Sequence, residues 1–250
     1  GGHNKVHQMI NDNWDVVLST PDVLYFDFPY EADPIEPGYY WGSRNTDSYQ
    51  VFQFMPNNLP VHAEIWTDNF GNNYAATATI NIQNEQQVLG IQAQLWGETV
   101  RSDAQANYML FPRLLAVAER AWHTPTWAED YKTGVSYSAE TEHFDKTQTK
   151  AMHIDWLNFS HLLSTKAMPQ LIADGIVPRV PLPGAMVEGG KLFMHTTFSG
   201  LQLEFQINGQ DWQVFTTPVK LPEEAITRVR ATVPNASVSS REQPVIMRGQ

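Results

Sequence analysis

Gly90-Ile91-Gln92-Ala93-Gln94-Leu95-Trp96-Gly97-Glu98 is the stretch on which the fold turns. Apolar and polar residues alternate through Trp96, the period of an extended strand with one buried face. A helix follows. Ser102 or Asp103 supplies its cap, and Phe111, Leu114, Leu115, Ala118, Ala121 and Trp122 recur at helical spacing to form an apolar face. Pro112 falls inside that pattern, so a kink or a fresh start is expected there. Strand, loop and helix in this order build either a β/α barrel or a doubly wound sheet.

Upstream, Val16-Val17-Leu18-Ser19 and Val23-Leu24-Tyr25-Phe26 read as two short strands separated by Thr20-Pro21-Asp22. Their unbroken apolar character suits a parallel sheet covered on both faces. Pro29, Pro34, Pro37 and Gly38 mark a loop, and Thr46 is expected to cap a short helix bearing Tyr49, Phe52 and Met55, stopped by Pro56. Residues 56–88 show no sustained period; a connection of that length is usually functional or mobile. Downstream, a second helix is predicted from about Thr147 to Lys166, with Met152, Trp156, Phe159 and Leu163 as its apolar stripe and an end near Pro169; Gly175 closes the domain.

Beyond Val177 the pattern changes. Pro178, Pro181, Pro183 and Gly184 mark a linker or a domain entrance. Short strands follow at Leu192–Thr196, Leu201–Ile207, Trp212–Phe215, Ile226–Val233 and Val245–Met247, with Asn208-Gly209 as a hairpin turn and Trp212 as a core residue. They make a β-sandwich of about 70 residues. A complete eight-fold barrel takes about 250 residues, whereas only about 175 precede the sandwich. The fold class read from this is α/β: residues 1–177 are the C-terminal portion of a barrel, and residues 178–250 an all-β sandwich.

Composition narrows the function. The 250 residues hold 16 Lys+Arg against 27 Asp+Glu, a formal charge of -11, which disfavours nucleic acid as a partner. No apolar run reaches the roughly 20 residues of a membrane span. Without cysteine there is no disulfide, thiolate metal site or Cys nucleophile. The start, Gly1-Gly2-His3-Asn4, does not read as a signal peptide. The eight histidines form no metal-binding spacing, and no phosphate loop or nucleophile elbow occurs. Glu119-Arg120 reads as an ion pair supporting the wall of the fold.

Two clusters remain, Tyr25-Phe26-Asp27 and Trp96-Gly97-Glu98, each with a carboxylate two residues from an aromatic. On an extended chain that spacing points both side chains to one face. At the C-terminal ends of barrel strands both would face the active-site mouth. An aromatic ring beside an accepting carboxylate suits a sugar, whose C–H face packs on the ring while its hydroxyls donate. Such triplets also arise by chance at strand ends. The residues alone therefore leave a sugar site and a structural role both open, and Tyr39-Tyr40-Trp41 is either a sugar platform or a loop anchor.

Longer motifs carry a resemblance. Ser19-Thr20-Pro21-Asp22-Val23-Leu24-Tyr25-Phe26-Asp27-Phe28-Pro29-Tyr30 and Gly38-Tyr39-Tyr40-Trp41 resemble the seventh-strand region of the family 20 β-N-acetylhexosaminidases, the bacterial chitobiases. Gln94-Leu95-Trp96-Gly97-Glu98 is similar to their eighth-strand motif, with Gly97 where Ser is usual. Phe111-Pro112-Arg113 through Trp122 resembles the helix that closes their barrel; Pro183-Gly184-Ala185 and Gly209 to Val214 resemble their C-terminal immunoglobulin-like domain.

The resemblance implies that Tyr25 is the catalytic tyrosine orienting the acetamido group, and that Asp27 and Glu98 hold hydroxyls of the terminal sugar. It makes Trp96 a wall of the cage around the acetamido methyl and Trp41 the platform for the next sugar. It implies removal of terminal N-acetylglucosamine from chitobiose-like oligosaccharides with retention, through an oxazolinium formed by the substrate's own acetamido oxygen. No cofactor or metal is implied, and the implied location is periplasmic or secreted. The family's His-x-Gly-x-Asp-Glu motif, source of the proton donor, has no counterpart here, since the chain contains no Asp-Glu dipeptide. The implied partners are therefore N-acetylglucosamine-terminated oligosaccharides and the preceding part of the same enzyme. The rival reading is a non-catalytic carbohydrate-binding or domain-packing module. An interaction role for the sandwich is a third.

Overall fold

In the computed structural model, residues 2–68, 70–76, 79–83 and 88–245 are described. The chain divides into two units, Gly1–Ile154 and Asp155–Gln250. The first begins with α1 (Gly2–Asn11) and the short strand β1 (Val16–Leu18). The second predicted strand is corrected. Residues Pro21–Leu24 form one helical turn, α2, because Pro21 occupies its first position with φ already set for a helix, and the Leu24 amide bonds the Thr20 carbonyl at 2.9 Å. Only Tyr25 retains strand character, as a parallel bridge to Gln94.

Helix α3 (Ser48–Phe52) is capped by Asp47, whose carboxylate accepts from the Gln50 amide at 2.7 Å. The predicted cap, Thr46, is buried instead, and its hydroxyl donates to the Asp22 carbonyl at 3.3 Å. The aperiodic stretch 56–88 contains a 3-10 helix at Leu59–Glu64 and the two-residue strand β2 (Ala75–Ala76). Side chains pin part of it. Asn4 accepts from the Ile80 amide at 2.7 Å, His7 bonds the Ile80 carbonyl at 2.6 Å, and Asn11 brackets Asn81 and Gln83 at 2.8 Å each.

Strand β3 (Val88–Ile91) pairs parallel with β1, shorter than the run predicted to Trp96. Val17 and Leu89 stay more than half exposed, so the expected cover on both faces is incomplete. Helix α4 (Asp103–Leu110) is capped by Ser102, which accepts from the Gln105 amide. The fresh start predicted at Pro112 is present: α5 (Arg113–Trp122) begins immediately after it. Its buried face is not the predicted one. Arg113, Ala116, Val117 and Arg120 face inward, while Ala118 and Ala121 are exposed and Trp122 is 91% exposed. Aromatic rings that accept guanidinium groups explain the reversal. Arg120 lies 4.5 Å from the Phe52 ring centroid and 5.2 Å from that of Trp127, paired with Glu119 at 3.3 Å. Strand β4 (Tyr137–Ser138) pairs antiparallel with β2 before α6 (Lys146–Leu162) leads into the second unit.

There the helix runs on through a π turn at Leu163–Ala167 and α7 (Met168–Ala173), passing the predicted end at Pro169. Proline is tolerated because it sits in the first turn of α7. Trp156 is buried edge-on against Phe198 and donates to the Thr197 carbonyl at 2.8 Å. The segment Pro178–Pro181 is buried rather than a loose entrance. Strands β5 (Gly184–Glu188), β6 (Lys191–His195), β7 (Gln202–Ile207), β8 (Gln213–Val214), β9 (Val219–Lys220), β10 (Thr227–Thr232) and β11 (Gln243–Pro244) follow. They form a three-stranded sheet, β5-β6-β9, and a four-stranded one, β11-β10-β7-β8. Leu192 of the first sheet shares one core with Phe205 and Val229 of the second, making a two-layer sandwich. Trp212 is not in that core. It lies half-buried beneath Arg230, whose guanidinium sits 4.1 Å from the ring centroid. The last predicted strand begins one residue after β11: Val245 is outside the strand, and Ile246 and Met247 lie outside the described residues. Among the described residues no helix is long and apolar enough to cross a membrane.

Candidate functional site

The Tyr25–Gln94 bridge sets the two clusters at one level. The Phe26 amide donates to the Gln94 carbonyl at 2.6 Å, and the Gln94 amide to the Leu24 carbonyl at 2.8 Å. Beyond the bridge both segments leave the strand direction: the chain turns at Phe26 and Asp27 on one side and, after Trp96, at Gly97 and Glu98 on the other. Tyr25, Asp27, Tyr39, Trp41, Trp96 and Glu98 line one cleft of about 460 Å³. That volume accommodates a small ligand of sugar size.

Aromatic rings form its walls. The Tyr25 ring meets Trp96 edge-on at 5.7 Å and Trp41 at 5.8 Å, and Phe28 supports Trp41 at 5.0 Å. Asp27 is only 1% exposed, and Trp41 donates its indole Nε1–H to Asp27 Oδ2 at 2.6 Å. The other oxygen, Oδ1, is buried without a hydrogen-bond partner among the described residues. An unmet buried acceptor costs about 1–3 kcal/mol, which an incoming hydroxyl would recover. Trp41 remains 56% exposed, and Glu98 sits in the open part of the cleft.

The loop carrying Tyr39 and Trp41 is folded back on Asp27. The Tyr39 amide donates to the Asp27 carbonyl at 2.8 Å. Gly38 makes this approach possible: its φ is +140°, and a Cβ there would lie 2.6 Å from the Pro29 nitrogen and 2.7 Å from the Asp27 oxygen. The Thr46 amide closes the loop on the Pro29 carbonyl at 2.8 Å.

Sequence reasoning missed what stands behind this loop. Arg113 is fully buried. Its Nη2 donates to the Phe26 carbonyl at 2.8 Å, its Nη1 to those of Phe28 at 2.8 Å and Thr46 at 3.0 Å, and its Nε to that of Met109 at 3.0 Å. A contact from Nη2 to the Met109 carbonyl completes the set. The same cation lies 3.9 Å from the Tyr30 ring centroid and 4.6 Å from that of Phe26. Each bond from an ionised donor is worth about 1.5–3 kcal/mol net, so the group is a major tie between α5 and the loop. Tyr108 of α4 adds another, donating to the Glu36 carboxylate at 3.0 Å. The available signal was the spacing Arg113, Ala116, Val117, Arg120, itself a helical face once arginine is allowed inside.

A second cleft, about 300 Å³, opens beside Gly42 and is lined by Asp22, Arg44, Trp66, Asp68 and Tyr74 among others. Burial raises the Asp22 carboxyl above its usual range against the opposing Tyr74 hydrogen bond. Burial, with the charges of Asp22 and Asp68, pushes the Tyr74 hydroxyl up to about 12.

Residues 1–125 match the model of the glycosyl hydrolase family 20 catalytic domain. The chain belongs to glycosyl hydrolase family 20. Residues 167–241 match the chitobiase/beta-hexosaminidase C-terminal domain that accompanies it. Among relatives, the N,N'-diacetylchitobiase of Vibrio harveyi is 41% identical over 215 residues, which are 86% of this chain and 24% of that protein. The beta-hexosaminidase of Vibrio vulnificus is 38% identical over 239 residues, 93% of this chain and 28% of that one. The chain thus spans about a quarter of the length of these family 20 relatives. The solved exo-β-N-acetylglucosaminidase of Vibrio harveyi in complex with N-acetylglucosamine superimposes with a TM-score of 0.41 and 22% identity, covering 72% of this chain and 21% of that one.

Proposed function

We propose that this chain is the sugar-holding portion of a retaining β-N-acetylhexosaminidase acting on chitobiose and related oligosaccharides. The observation that carries the reading is the cleft itself. Tyr25, Asp27, Trp41, Trp96 and Glu98, drawn from two separate sequence clusters and a loop, line it together, and Asp27 Oδ1 offers an unmet acceptor. In this reading Asp27 and Glu98 accept hydroxyls of the terminal sugar, and Tyr25 donates to the acetamido group as it closes on the anomeric carbon. Trp96 encloses the acetamido methyl, and Trp41 underlies the next residue. Membership of family 20 and the named activities of the Vibrio relatives support the substrate class.

The proton donor is assigned to a polypeptide segment outside this chain, because no Asp-Glu pair occurs within it. The first unit is accordingly read as the last part of a (β/α)8 barrel and the sandwich as an immunoglobulin-like domain, in a periplasmic or secreted enzyme. Chitobiose is expected to quench tryptophan fluorescence. Asp27→Ala should weaken that binding about ten- to a hundred-fold, the equivalent of one buried acceptor. Purified alone, the chain should not hydrolyse p-nitrophenyl N-acetylglucosaminide. Binding unaffected by loss of Asp27 would sink the site assignment, and turnover by the chain alone would sink the assignment of the acid elsewhere.

A further inference from the structure

We propose that Arg113 is the positioning residue of the cleft: by bonding the carbonyls on both sides of Asp27 and the carbonyl that ends the Trp41 loop, its guanidinium sets the carboxylate and indole in register. That these two groups grip a sugar rests on the function proposed above; the positioning itself does not. Asp27 lies between Phe26 and Phe28, and both of their carbonyls accept from Arg113 at 2.8 Å. Thr46, where the loop rejoins the fold, accepts from the same Nη1 at 3.0 Å. One rigid, planar group therefore holds both feet of the segment that carries Trp41. The outcome at the cleft is the 2.6 Å bond from Trp41 to Asp27, which leaves Oδ1 open.

The arginine comes from α5, 67 to 87 residues along the chain from the Phe26, Phe28 and Thr46 carbonyls, and it does not line the cleft. It acts through Asp27 and Trp41. Arginine is suited to this because its fork presents several donors in one plane, while the rings of Phe26 and Tyr30 fix that plane from its faces. Lysine retains the charge and the stem, but its single nitrogen cannot stand in both for Nη1, which holds Phe28 and Thr46, and for Nη2, which holds Phe26.

The test reads geometry without sugar. In a chain labelled with ¹⁵N at its eight tryptophans, the Trp41 indole resonance is assigned with Trp41→Phe, and its displaced position with Asp27→Asn. Arg113→Lys is expected to move the Trp41 signal to the position it has in Asp27→Asn and to weaken chitobiose binding at least tenfold. The indole signals of Trp127 and Trp156 should stay in place. A folded Arg113→Lys chain with the Trp41 signal unmoved overturns the proposal. Should the variant not fold, the unsubstituted chain decides through hydrogen exchange. The guanidinium protons of Arg113 must exchange in the same opening event as the Tyr39 and Thr46 amides; exchange of the guanidinium well ahead of those amides overturns it. Failure of the unsubstituted chain to bind chitobiose, with the Trp41 signal moved as expected in Arg113→Lys, would reject the substrate assignment and leave the positioning role intact.

Discussion

The cleft loop, residues 26–46, and the hairpin of β7 and β8 solve the same problem by different means. Both turn the chain back on itself. The hairpin does so locally: Glu204 faces Val214, Phe205 faces Gln213, and Asn208 and Gly209 take φ of 50° and 73° in the turn. The cleft loop has no ladder along its length. A guanidinium from a distant helix, a tyrosine–glutamate bond and a glycine pressed against backbone hold it instead. A ladder fixes the backbone but uses up its polar groups on neighbouring strands. Holding a loop from behind leaves its front, with Asp27 Oδ1 and the Trp41 face, available to a ligand.

The sharpest break in that comparison is removal of the distant tie. Arg113→Met should destabilise the first unit by about 4 kcal/mol or more, because several buried carbonyls lose a charged donor at once. In the second unit, Arg230 bonds Glu204 at 2.7 Å and covers Trp212, yet remains partly exposed, so Arg230→Met should cost only about 1 kcal/mol. Urea unfolding followed by circular dichroism measures both; equal losses would erase the distinction. Next in size is Gly38→Ala, at about 3 kcal/mol, since a Cβ there meets the Pro29 nitrogen and the Asp27 oxygen inside van der Waals distance. The same variant should also abolish chitobiose quenching.

How much could be read in advance follows the same division. The alternation Leu201, Leu203, Phe205, Ile207 and the Asn208-Gly209 pair located the hairpin, because their period and turn chemistry are local properties. Tyr25-x-Asp27 and Trp96-x-Glu98 do line the cleft, but the extended chain expected through them is absent: the backbone turns at Phe26 and Asp27 and at Gly97 and Glu98. Val23-Leu24 was misread as strand because Pro21 serves as well to start a helical turn as to end a strand. The face of α5 was misread because Arg113 and Arg120 are apolar in neither composition nor scale. Their burial depends on Phe26, Tyr30, Phe52 and Trp127, which are remote in sequence.

Acid sharpens the comparison from another side. His62 is buried in the first unit against Trp66, with ring centroids 4.1 Å apart. The Met55 amide donates to its Nε2 at 2.9 Å, so the other nitrogen carries the proton toward the Leu59 carbonyl at 3.0 Å. Burial lowers its pKa from 6.5 to about 4, against the opposing backbone bonds. Because the folded form resists protonation, the unfolded chain binds the proton first as pH falls below 6.5, and stability falls with it until about pH 4. From pH 8 to pH 5 the His62 contribution should amount to about 2 kcal/mol lost. It is measured as the difference in the pH dependence of urea midpoints between the parent and His62→Gln, and identical slopes would remove His62 from the account.

The smallest effect is the most direct test of local against distant support. Gly209 shares with Gly38 a positive φ, +73° against +140°, but nothing lies within 4 Å of the position its Cβ would take. Gly209→Ala therefore meets only the backbone preference of an L residue, about 1 kcal/mol. Asn208 would keep its bond from the Ile226 amide at 2.9 Å, and the pairing of β7 with β10 should hold the register. The variant should lower the urea midpoint slightly, leave the indole signal of Trp41 untouched and bind chitobiose as the parent does. A loss as large as that of Gly38→Ala would mean that the turn is held by more than its own dihedral angles, and the hairpin would cease to be the locally determined member of the pair.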